Sequence, residues 1–147
     1  MVKYDYYRPN NLNKYMKGYI KDIERVTLEN ESFRKVLYTG KHSQLVAMTL
    51  QPNEEIGMEV HETVDQFFRI ESGEGKVVID GVETAIEDGF AIIVPAGAIH
   101  NVVNTSSAET LKLYTIYSPA EHQDGIERKT KADALAQEEH FDGKTTE

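Results

Sequence analysis

Between Ser32 and Tyr117 the chain is a succession of short β-prone runs, each closed by residues that turn the backbone. The runs are FRKVLYT (33–39), QLVAMTL (44–50), IGMEVH (56–61), QFFRIES (66–72), KVVID (76–80), ETAI (83–86), FAIIVP (90–95), IHNVVN (99–104) and TLKLYTIY (110–117). None is long enough, or apolar at helical enough spacing, to compete as a helix. So many short strands at close spacing require sheets that pack face to face or close on themselves, and the fold class is all-β. Gly40, Pro52-Asn53, the Ser72–Gly75 stretch, Asp88-Gly89 and Pro95-Ala96-Gly97 mark the turns. Asp80-Gly81 is the sharpest, because a two-residue hairpin turn needs positive φ at both central positions, which Asp-Gly tolerates well. It predicts a hairpin joining KVVI to the strand around Glu83–Ile86.

With 147 residues the chain is of single-domain size and buries a core without staples. The expected organisation is one domain over 1–147, with a barrel core at about 32–117, an N-terminal arm at 1–31 and a C-terminal tail at 118–147. Five of the eight tyrosines lie in the first nineteen residues, which reads as an arm that docks its rings on the barrel or on a second copy. In the tail, Thr130 followed by Asp133 predicts a capped short helix over ADALAQEEH, and the final DGKTTE is expected to fray.

Charge and cysteine usage remove whole classes of function. Sixteen Lys and Arg against 25 Asp and Glu give a formal net charge of −9, and no basic block is present to neutralise phosphates, so nucleic acid is not an expected partner. No stretch is long and apolar enough to cross a bilayer, and a soluble, cytoplasmic protein without membrane contact is expected. There is no cysteine, which excludes thiolate ligands, thiol nucleophiles and disulfides; any metal must be held by nitrogen and oxygen.

From Gly89 the chain reads GFAIIVPAGAIHNVVN, placing Gly89, Pro95, Gly97, His100 and Asn104 in a fixed spacing. Gly89 turns into a strand, Pro95 and Gly97 shape the bend that redirects it, and His100 projects from the next strand. At period two His100, Val102 and Asn104 share a face. This segment resembles the second motif of the cupin superfamily at each of its defining positions. The first cupin motif, with His-x-His and a later glutamate, is met here by a variant. Counting back seven residues from Gly73 puts Gln66 at the glutamate, His61 at the second histidine and Glu59 at the first. Gly57 stands too near Glu59 for the family spacing.

The resemblance covers about residues 44–117. It implies a cupin jelly-roll barrel of two antiparallel sheets, with one divalent metal ion on Glu59, His61, Gln66 and His100. Iron(II) suits two histidines and a carboxylate with open positions, and manganese, nickel, zinc or copper also accept such ligands. Relative to three histidines and a glutamate the donors are harder, which tilts toward iron or manganese. Gln66 has a second reading, as a group that hydrogen-bonds a metal-bound water. Glu59, if not ligated, is a general-base candidate.

The implied function is a small-molecule enzyme of dioxygenase, isomerase or lyase type, with the metal as Lewis acid or oxygen activator. The alternatives are a non-catalytic small-molecule or sugar-binding module and a mannose-6-phosphate-isomerase-like sugar isomerase. A structural protein with a vestigial site is a third reading. A homodimer is expected by analogy with other cupins. Of the remaining histidines, His42 lies in a turn and reads as solvated, and His140 lies in the charged tail. The stretch Pro119-Ala120-Glu121-His122 reads as a structural corner, with Glu121 or His122 folded over the barrel mouth toward a substrate as the functional alternative. Arg69 is expected to face outward, and Tyr38, Phe68, Phe90 and Tyr114 to fill the core or line the cavity.

Overall fold

The structure, a computed structural model, describes residues 17–147. Nine strands and two short helices follow in order: α1 (Ile23–Glu29), β1 (Arg34–Thr39), β2 (Gln44–Leu50), β3 (Asp65–Ser72), β4 (Glu74–Ile79), β5 (Val82–Glu87), β6 (Ala91–Val94), β7 (His100–Asn104), β8 (Leu111–Ser118), β9 (Glu127–Arg128) and α2 (Lys131–Ala136). They form a six-stranded sheet in the order β6-β3-β8-β2-β1-β9 and a three-stranded sheet in the order β5-β4-β7. The pairings are antiparallel. The expected hairpin is present, with Asp80 at φ 47° and Gly81 at φ 82° between β4 and β5.

Register stacks the inward residues of the large sheet in rows. Gln66 faces Tyr117, which faces Gln44; below them come Phe68, Thr115 and Val46, then Ile70, Leu113 and Met48, then Leu111 and Leu50. All eleven are buried to within 2% exposure. The interior is therefore graded, polar at one end and apolar at the other. Sealing a Leu, Ile or Phe there contributes about 1.5–3 kcal/mol each. The small sheet turns His100, Val102 and Asn104 toward these rows, all at 2% exposure or less. Asn104 belongs to the far end, where its Nδ2 donates to the carbonyls of Leu50, Gln51 and Glu109 and fastens a loop.

Five expectations need correction. The run 56–61 is extended but not a strand; Gly57 at φ 108° interrupts it, and only the isolated bridges Glu55–Val103 and Glu59–His100 remain. The expected arm contains helix α1, started by Asp22, whose side chain accepts from the Arg25 N–H at 3.1 Å, and packed on β2, β3 and β8. The two-residue β9 extends the large sheet against Arg34 and Lys35. The chain end is tied down: Thr146 N donates to Thr39 O at 2.9 Å, and Thr39 N to Thr146 Oγ1 at 2.8 Å. Helix α2 forms with Thr130 Oγ1 accepting from Asp133 N at 3.1 Å, as its cap predicts, but ends at Ala136, short of the residues 137–140 that the sequence also assigns to it. Docking of the tyrosine-rich arm lies outside the described residues except at Tyr19, whose ring stands 6.3 Å from that of Tyr38.

Candidate metal centre

His100 opens β7 directly after the Pro95–Gly97 bend. Gly97 adopts φ 85°, a conformation open to glycine, and its N–H donates to His61 O at 2.8 Å. Ala96 N donates to Asp65 Oδ1 at 2.9 Å, which anchors the same bend to the start of β3. Glu59 and His100 exchange backbone hydrogen bonds, N to O at 2.8 and 2.9 Å. The bend and this bridge hold Glu59, His61 and His100 together although the first two lie outside any strand. One donor atom from each lies within 4.8 Å of the others.

The two imidazoles are oriented alike. His100 Nδ1 lies 3.0 Å from Ala98 O, a partner that only accepts, which leaves Nε2 as the nitrogen a cation would take. That Nε2 stands 3.0 Å from Gln66 Oε1 and 4.0 Å from Glu59 Oε2. The Gln66 amide nitrogen donates to Thr115 Oγ1 at 3.0 Å, which turns its oxygen toward His100. His61 Nδ1 faces Glu121 Oε1 at 3.5 Å, and its Nε2 is buried without an aligned hydrogen-bond partner, with Glu59 Oε2 3.4 Å away. Two imidazole nitrogens, a carboxylate and an amide oxygen thus turn electron pairs on one region, and each histidine has its other nitrogen held by an oxygen acceptor. That is the donor chemistry of a divalent cation site, and the residues fit the ion that the fold implies. The carboxylates of Glu121 and Glu59 push the His61 pKa up to about 9, so the same field that favours a cation fills the metal-free site with a proton.

Around this group lies a second polar cluster. Tyr117 is 2% exposed, and its ring meets the edges of His61 at 5.8 Å and His122 at 5.1 Å. Burial, followed by the charge of Glu59, raises its phenol above the ordinary value, so it stays protonated and donates to His122 Nε2 at 3.3 Å. His122 Nδ1 then donates to Glu139 Oε1 at 3.1 Å. Burial, and next the charge of Arg34, lower the His122 pKa to about 3, so its contact with Glu139 is a hydrogen bond of a neutral ring. Its backbone is held by Gln44, whose Oε1 accepts from His122 N at 3.0 Å and whose Nε2 donates to His122 O at 2.8 Å.

Glu59, His61, Gln66 and His100 are all brought together as the motif spacing implies. In the 119–122 corner His122 is a structural pin held by Gln44, Tyr117 and Glu139, and Glu121 faces His61 Nδ1 at 3.5 Å. His42 and His140 are exposed, Arg69 faces outward in an ion pair with Glu71 at 3.2 Å, Phe68 is core, and Tyr38, Phe90 and Tyr114 are not. Sequence reading missed Arg34, Tyr117 and Glu139. Period-two burial in β8 would have flagged Tyr117, but nothing local marks the other two.

The model of the Cupin domain family matches residues 46–117. The uncharacterized protein YrkC of Bacillus subtilis (strain 168) is 45% identical over 129 residues, covering 84% of this chain and 69% of YrkC. Among solved structures, BH2720 from Bacillus halodurans superposes with a TM-score of 0.80 at 40% identity, over 82% of this chain and 96% of that one. TT1209 from Thermus thermophilus does so with a TM-score of 0.57 at 27% identity, over 68% and 96%.

Proposed function

Because the chain belongs to the cupin family, we propose that it is a small-molecule enzyme in which Glu59, His61 and His100 hold one divalent metal ion. Gln66 completes or orients the shell. The observation that carries this is the convergence of three donor atoms within 4.8 Å, with both histidines presenting Nε2. When bound, the ion supplies Lewis acidity or a site for oxygen activation, at a centre whose three or four protein donors leave positions open. Glu121 and the Ala98 carbonyl keep the imidazoles in the ligating tautomer. Tyr117 walls one side with a phenol held protonated, and the apolar rows beneath exclude water from below.

A cavity of about 180 Å³ opens beside Glu59 and His61, room for a small molecule, which an enzyme and a binding module need alike. Metal analysis of the purified chain tests the site first. Stoichiometric iron, manganese or another divalent ion is expected, reduced at least tenfold in His100→Ala. Metal-free protein that gains no thermal stability on adding these ions, and behaves like His100→Ala, would sink the proposal. Oxygen uptake with diketones, thiols and flavonoids then separates an oxygenase from an isomerase, which consumes none.

A further inference from the structure

Arg34 is a buried cation without a dedicated partner. Its side chain is 10% exposed, and its Nε has no hydrogen-bond partner among the described residues. The ion pair it makes is to Glu139 Oε1, at 4.0 Å. Glu139 is already engaged at closer range, by Arg128 Nη2 at 3.0 Å and by His122 Nδ1 at 3.1 Å. Leaving a guanidinium buried and underpaired is costly, whereas a hydrophobic residue of similar size would pack there without penalty. Arg34 lines the same cavity as Glu59, His61 and Glu121, between the barrel mouth and the Ala134–Leu135 part of α2.

We infer that Arg34 is the residue that recognises the ligand of this cleft, its guanidinium binding the carboxylate of a small organic acid. An Nε–Nη edge matches two carboxylate oxygens at once, and a guanidinium stays charged at any working pH. The lining carries Glu59, Glu121, Glu138 and Glu139 against Arg34 and Lys131, so with a divalent ion bound the cleft is formally neutral and Arg34 marks the place of the carboxylate. The inference rests on the proposed metal site for the far end of the ligand, and on the arginine alone for the near end.

The test compares lactate with lactamide, and propionate with propionamide, by calorimetry on the full chain, both metal-loaded and stripped with chelator. Each acid is expected to bind about tenfold or more tighter than its amide. Arg34→Gln is expected to erase that difference while leaving metal content unchanged, and Arg34→Lys to keep part of it. Should Arg34→Gln unfold the chain, the wild-type Arg34 Nε–H resonance serves as a second readout: it moves on adding lactate and stays on adding lactamide. An acid preference that survives in folded Arg34→Gln, a stationary Nε–H signal under saturating lactate, or equal binding of acids and amides by the wild type overturns the inference. A wild type that takes up no divalent ion yet prefers the acids through Arg34 sinks the metal proposal alone.

Discussion

His61 stands between Glu121 and Glu59, and the two carboxylates stabilise a positive charge on or beside it. A pKa raised from 6.5 to about 9 means that the folded, metal-free chain binds this proton more tightly than the unfolded chain. Its stabilising contribution is complete below pH 6.5 and lost as the pH climbs through 9. Metal must displace the proton, so uptake at about pH 7 is expected to release close to one proton and to weaken as pH falls; calorimetry in buffers of different ionisation enthalpy reads this out. Gln66→Glu places a carboxylate where exposure is 1%. It is expected to destabilise the metal-free chain by a few kcal/mol and to enlarge the thermal shift on adding metal. A shift no larger than that of the wild type would show that Gln66 stands apart from the ion. His61 and His100 were legible because their spacing follows from strand and bend geometry. Tyr117 could have been flagged by period-two burial in β8, whereas Arg34 and Glu139 were not legible, since partners so far apart in sequence meet only in the folded chain.

At the level of elements, Glu139 joins three pieces of chain: Arg34 on β1, Arg128 on β9 and His122 in the corner. Its side chain is 6% exposed, so removing the charge takes the carboxylate partner from buried Arg34 and from half-buried Arg128. Glu139→Ala is expected to cost about 3–5 kcal/mol in urea unfolding. Thr130→Ala, which removes only the cap of α2, is expected to cost about 1 kcal/mol. Similar losses for the two would mean that the cluster contributes no more than a cap. Most strands were readable from turn residues and β-prone runs. The misreadings have separate causes: IGMEVH alternates like a strand, but the Gly57 N–H donates to Asn101 Oδ1 at 2.9 Å instead of to a ladder. IERVTLE is too short to show a helical stripe.

Across the whole molecule the graded interior sets the response to acid. His122 is neutral in the folded chain with a pKa of about 3 and protonates near 6.5 when unfolded. Stability is therefore unaffected by it above pH 6.5 and falls as the pH drops toward 3, by an amount on the order of a few kcal/mol. His122→Gln is expected to flatten that part of the acid-unfolding curve; an unchanged slope would show that other groups govern it. The barrel architecture was legible because repeated short strands admit few arrangements. The closing of its mouth was not, because it is made by residues after the last barrel strand. Glu121, His122, Glu139 and helix α2 all follow the strands β1–β8 in the chain. A growing chain can pair its strands and bury its apolar rows before any of them emerges. A chain clipped after the last barrel strand would keep Glu59, His61, Gln66 and His100 but lose Glu121 from His61 Nδ1 and Glu139 from Arg34.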